Sequence, residues 1–215
     1  MTAGQKTGWF VVIFLASLTS LAAIGRVITI QTGMHPPQPS DVGESFDVRY
    51  SQNPALTYVH VVPGLVFMIL GPLQFSKRIR ATSLKFHRRS GRVFLVISVT
   101  TAIAGMVLAF RLPAFGGLNT AVATYFAGSL FLFSVAKAYY HVRRGEIVLH
   151  REWIIRAFAL GLGVSTMRLV LIVFILMHFR MQEAFGISSW LGFGTNLIAA
   201  EVWINLTRVR AHAVS

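Results

Sequence analysis

KRIRATSLKFHRRSGRVFLVISVTTAIAGMVLAF, residues 77–110, decides the fold. Seven cations (Lys77, Arg78, Arg80, Lys85, Arg88, Arg89 and Arg92) lead into an apolar run that contains nothing more polar than Ser98, Thr100 and Thr101. About 20 residues at about 1.5 Å each make about 30 Å of helix, the thickness of a bilayer's hydrocarbon core. A cationic segment abutting such a run is how a transmembrane helix is anchored on the cytoplasmic side.

The same pattern repeats outward from this stretch. Apolar runs cover residues 8–30, 55–75, 90–110, 118–140, 153–179 and 188–206. They lack the period-2 alternation of strands and are about twice the length of a barrel strand. The expected fold is therefore all-α: a polytopic transmembrane bundle of about six helices, forming one domain over residues 1–215. Lys6 and the small residues at 20–23 resemble a secretion signal, but the run is too long for one, so it is read as an uncleaved first helix. Residues 31–54, with Pro36, Pro37, Pro39, Asp41, Glu44 and Asp47, form a periplasmic loop or small cap. Basic residues concentrate in 76–92, in 137–151 and after 207, whereas the alternate loops have few, which puts both ends of the chain in the cytoplasm. The expected location is a bacterial inner membrane.

Composition excludes several classes. Of 215 residues 54% are hydrophobic and 13% charged, too little polarity to coat a soluble globule. The net charge of +13 is spread over short segments between spans, which favours anionic lipid over nucleic acid as the partner. With no cysteine, thiolate metal sites, iron–sulfur clusters and covalent haem attachment are excluded. Seven Asp and Glu in all make a hard-cation site improbable, and no Walker loop, dinucleotide fingerprint or nucleophile elbow is present.

One small motif recurs: His60 with Gly64, His87 with Gly91 and His141 with Gly145 are each H-x-x-x-G. On a helix i and i+4 share a face, so the glycine leaves room beside the imidazole for a flat ring, or equally for a neighbouring helix. His60, Gly64, Phe67, Gly71 and Gln74 fall on one stripe, and His87, Gly91, Ser98, Thr101 and Gly105 on another. Both stripes are expected to face the interior. His60 and His178 lie towards one membrane face, and His87, His141 and His150 towards the other. Arg168 and Glu201 sit well inside their spans, where mutual pairing would cost least. His150, Glu152, Trp153 and Arg156 open the fifth span beside the basic loop, suited to an anionic headgroup, a propionate or a quinone carbonyl.

Two resemblances follow from these residues. His60-x-x-x-Gly64, Gly71-Pro72-Leu73-Gln74-Phe75, Arg80, His87-Arg88-Arg89-Ser90-Gly91-Arg92 and His150-Arg151-Glu152-Trp153 with Arg156 look like an uncharacterised bacterial family of predicted multi-pass membrane proteins. That resemblance covers roughly residues 55–160 and implies membrane location without an activity. More distantly, the order His60, Gly64, Gln74, Arg80, His87, Gly91 resembles transmembrane di-haem b-type cytochromes and ferric reductases. This implies a haem-b or quinone-interacting redox protein. His60 and His87 would ligate haem iron, with His178, His141 or His150 opposite them and Arg156 nearby. The alternatives are a non-catalytic subunit or assembly factor of a larger membrane complex, and a small transporter or lipid-binding protein using Arg168 and Glu201.

Overall fold

Every apolar run folds as a helix, and most of the helices outlast their runs. The computed structural model describes residues 3–33, 50–111 and 116–208. Six long helices are present among them: α1 (Ala3–Thr32), α2 (Pro54–Phe75), α4 (Leu84–Arg111), α5 (Gly117–Arg143), α6 (Ile147–Leu176) and α7 (Met181–Thr207). A six-residue helix, α3 (Lys77–Thr82), links α2 to α4. No strand occurs among the described residues.

The basic segments expected as loops are largely helical. α3 lies inside the cationic stretch, α4 begins at Leu84 rather than near 90, and α6 begins at Ile147 rather than at Trp153. The reason is hydrogen bonding: a helix that continues into the headgroup zone keeps its backbone groups paired, while Lys and Arg extend their stems to water. The turns that remain are short. Gly145 ends α5 with φ +76°, a left-handed position suited to glycine. Most of the loop or cap expected at 31–54, residues 34–49, lies outside the described residues, as does the turn at 112–115.

α1, α2, α4, α5 and α6 are long and apolar enough to cross a membrane; α7 has the length but more polarity. Its Ser188, Ser189 and Asn196 are buried against neighbouring helices rather than offered to lipid. Asn196 donates to Thr166 Oγ1 at 2.6 Å and to the Gly192 carbonyl at 2.8 Å. α6 and α7 approach almost backbone to backbone: a Cβ on Gly192 would stand 2.6 Å from the Gly163 carbonyl oxygen and from the Met167 nitrogen.

The helices run alternately up and down. His60, early in α2, meets Thr101 and Gly105 late in α4, whereas Gln74, late in α2, meets Ser90 and Gly91 early in α4. Gly8 in α1 lies against Trp203 in α7, so the start of the first long helix and the close of the last share one end. That end also carries α3 and the cationic stretch and is called here the basic end; the other is the far end. Midway between them Phe67 stacks on Phe94 (ring centroids 4.7 Å apart) and touches Phe131 (5.6 Å) and Phe158 (5.4 Å). Gly71 and Gly161 make this aromatic core possible, since a Cβ on either would enter the ring of Phe158 or Phe67.

Candidate functional site

On the far side of the aromatic core the helices part around a cavity of about 320 Å³. Phe67 and Phe131 line it on the core side, and apolar or small residues (Ala, Gly, Val, Met, Leu and Phe) make most of its wall. Its polar groups come from different helices: Arg26 from α1, His60 from α2, Thr101 from α4, Thr120 from α5, Arg168 from α6 and Ser189 from α7, with Tyr50 joining from the segment before α2.

Local chemistry explains how these groups are held. The Thr57 hydroxyl donates to the Tyr50 carbonyl at 2.9 Å, fixing Tyr50 beside the bundle, and the Arg26 guanidinium lies over the Tyr50 ring at 4.6 Å. Burial pushes the Tyr50 phenol up from its usual pKa, so it remains a neutral donor. His60 donates from Nδ1 to the Thr101 carbonyl at 2.8 Å, while the Thr101 hydroxyl donates to the His60 carbonyl at 2.7 Å. With the proton on Nδ1, Nε2 keeps its lone pair. Arg168 makes one hydrogen bond among the described residues, to the Val164 carbonyl at 3.4 Å, and no carboxylate there forms a salt bridge with it. At the cavity wall Thr19 is hydrogen-bonded to Ser165, which donates to the Leu15 carbonyl at 2.6 Å, pinning α1 to α6.

Arg168 does not pair with Glu201. Glu201 lies near the basic end and takes a bidentate pair from Arg156, at 2.5 and 2.9 Å, while Arg168 faces the cavity. The cause is register. The α6–α7 hairpin turns at about residue 178, and Arg156 and Glu201 are almost equally far from that turn. Arg168 is level instead with Ser189, which lines the same cavity. Glu152, buried, is held by Arg208 at 2.9 and 3.1 Å.

The other candidate residues separate by end. His178 follows α6 with φ +64°, is exposed, and is outside the cavity lining. His60 is thus the one imidazole lining the cavity among the described residues, so the geometry does not assemble a bis-imidazole site there. His87, His141 and His150 lie at the basic end. His141 donates from Nδ1 to Glu146 at 2.5 Å, and His150 donates from Nδ1 to the Ala138 carbonyl at 2.8 Å. No group of three or more His, Asp or Glu suited to a metal occurs among the described residues.

The three H-x-x-x-G pairs have three separate explanations, and none is a cradle for a flat ring. Gly64 faces Thr101 Oγ1 rather than an imidazole, and it is Gly105, on α4, that accommodates the His60 ring. Gly91 accommodates Gln74, whose amide donates to Ser90 Oγ at 2.7 Å. Gly145 is a helix stop. Arg80 caps α2 through the Gln74 and Phe75 carbonyls at 3.2 and 3.4 Å. Gln74, Arg80, Ser90 and Gly91 therefore form one joint between α2 and α4. The sequence reading missed the cavity's Tyr50, Thr120 and Ser189; counting residues outward from each hairpin turn would have put Ser189 level with Arg168.

No curated protein and no solved structure matches the chain. A family model described as "Predicted membrane protein (DUF2306)" matches residues 57–204, which include the α2–α4 joint and all or nearly all of every long helix except α1. The chain belongs to that family of predicted membrane proteins.

Proposed function

We propose that this integral membrane protein binds an amphipathic anion in its far-end cavity, with Arg168 meeting the charged head. The observation that carries the reading is an arginine facing a largely apolar cavity with no carboxylate paired to it among the described residues. A guanidinium in such a place is costly unless an anion or water accompanies it. The walls suit methylene groups, and about 320 Å³ is the size of a pocket that takes a headgroup and the first part of a chain. His60 Nε2 adds an acceptor, suited to a head that also carries a hydroxyl.

The positive-inside rule favours a cytoplasmic basic end, and on that reading the cavity opens in the outer half of a bacterial inner membrane. The aromatic core closes the bundle axis below it, which favours binding from one side over a continuous channel. A redox role with haem b or a quinone is the weaker reading, since only one imidazole lines the cavity among the described residues and its cations select charge.

The test is a comparison of dodecyl phosphate, dodecanoate and dodecanol as stabilisers of the purified chain in an uncharged detergent. The two anions should raise the Tm and dodecanol should not. In Arg168→Gln the difference between anions and alcohol should vanish. Equal stabilisation by dodecanol in the native chain would remove the charge from the account.

A further inference from the structure

We propose a second ligand site, at the basic end, for the phosphate head of an anionic phospholipid, formed by Arg80, His87, Arg88, His150 and Arg151. Between Asp47 and Glu146 the chain contains no acidic residue, while the segment 77–92 carries seven cations. That charge has no carboxylate from its own stretch of chain to balance it. The helices turn part of it inward. Arg80 leans onto the end of α2, and Arg80, Arg88 and His150 are the charged neighbours of His87. Arg80 is likewise a charged neighbour of Arg151, which opens α6 and donates to Thr207 Oγ1 at 2.8 Å. Phe75, at the close of α2 that Arg80 caps, lies against Phe158 of α6 with ring centroids 5.4 Å apart, which puts these mostly positive groups at one end of the bundle, Glu152 beside Arg151 being engaged by Arg208.

His87 supplies the second observation. Its Nδ1 is sealed from solvent and has no hydrogen-bond partner among the described residues. A sealed lone pair is tolerated more readily than an orphaned N–H, so the proton belongs on Nε2, the nitrogen that is not sealed. Nε2–H then joins the Arg80 and Arg151 guanidinium groups as a donor. His150, whose Nδ1 already serves Ala138, holds the neighbouring helix in place. The ligand chemistry is a phosphate diester. A lipid source is favoured because the cluster sits where two apolar helices, α4 and α6, begin: Phe86 and Leu149 flank it, and both are exposed. A headgroup held there would have its chains alongside surfaces that already meet the bilayer.

The full chain, purified in an uncharged detergent, is titrated with phosphatidylglycerol, with phosphatidylcholine and with soluble glycerol phosphate, and Tm and bound lipid by native mass spectrometry are read. Phosphatidylglycerol should bind and stabilise, and phosphatidylcholine much less. Each of Arg80→Gln and Arg151→Gln should weaken phosphatidylglycerol binding about fivefold, the effect of one interfacial arginine. Arg180→Gln, at the far end, should leave it unchanged. Arg88→Gln, at an exposed side chain with no structural hydrogen bond, serves if the Arg80 variant fails to fold, and should weaken binding in the same direction. Equal binding of the two lipids, or retention of full phosphatidylglycerol binding by Arg88→Gln and Arg151→Gln, would overturn the site. A response to glycerol phosphate matching that to phosphatidylglycerol would overturn the lipid source. None of these readouts depends on Arg168, so the result stands apart from that of the far-end cavity.

Discussion

His60 and Thr101 hold each other by reciprocal bonds to backbone: His60 Nδ1 donates to the Thr101 carbonyl at 2.8 Å and the Thr101 hydroxyl to the His60 carbonyl at 2.7 Å. Each carbonyl already accepts a helical N–H and uses its second lone pair here, so two helices are joined without breaking either ladder. The arrangement also fixes the tautomer and direction of the one imidazole that lines the cavity among the described residues.

Gly105 is what makes room for that ring. A Cβ there would stand 2.8 Å from His60 Cε1 and 3.0 Å from Nδ1, and a ring held by a backbone bond cannot yield without losing it. Gly105→Ala is expected to cost about 1–3 kcal/mol, read as a lowered Tm in detergent. Gly25→Ala, where nothing lies within 4 Å, should be neutral or stabilise by up to about 1 kcal/mol through helix propensity. Similar losses at both positions would contradict the packing.

Gly192 is a harder constraint, because what a Cβ would meet is the backbone of α6, with Met167 Cα at 2.8 Å. No rotamer change relieves such a contact. Gly192→Ala should therefore destabilise more than Gly105→Ala or fail to accumulate in the membrane. Wild-type abundance and Tm would mean that α6 and α7 stand further apart.

Charge pairing gives a sharper prediction. A double-mutant cycle on Arg156 and Glu201 should yield a coupling of about 0.5–1 kcal/mol, modest because Glu201 is 43% exposed and screened. The corresponding cycle on Arg168 and Glu201 should yield none. Arg156 also lies over the Trp153 ring at 4.6 Å, so Arg156→Ala should cost more than Glu201→Ala. Coupling in the second cycle and not in the first would restore the pairing that depth in the span suggests.

The short turn between α5 and α6 carries a pH response. The His141 hydrogen bond, and after it Arg144, holds the Glu146 carboxyl below its usual range. A lowered folded-state pKa contributes stability that is present above the ordinary carboxylate value, about 4, and is lost as pH falls through the lowered one. Thermal unfolding between pH 6 and 2 should show this acid loss in the native chain and a smaller one in Glu146→Gln. Superimposable profiles would dismiss the Glu146 contribution.

Much of the architecture can be read from the chain because apolar runs of bilayer length have few alternatives once water is absent. The stripes around His60, Gly64 and Gln74, and around Gly91, Thr101 and Gly105, meet each other across the α2–α4 hairpin, while Gly71 on the first stripe faces Phe158 of α6 instead. What the chain conceals is register. Arg168 and Glu201 both look buried when each span is read alone; only the hairpin turn near 178 shows that Arg156 is level with Glu201. A shared sequence pattern also hides unlike roles, as His60–Gly64, His87–Gly91 and His141–Gly145 show. Spacing says that two residues share a face, not which neighbour fills the space between them. The cavity was not legible for the same reason: its polar groups come from six long helices and Tyr50, one or two from each.

The most direct test of the central claim is to identify the small molecules that the chain retains from the membrane. Native mass spectrometry and extraction of the purified protein, compared with Arg168→Leu, should find one anionic amphiphile bound near stoichiometrically in the native chain and absent from the variant. Retention of a neutral quinone or a haem, or the same bound molecules in both proteins, would contradict the assignment of Arg168 as the group that holds an anionic head.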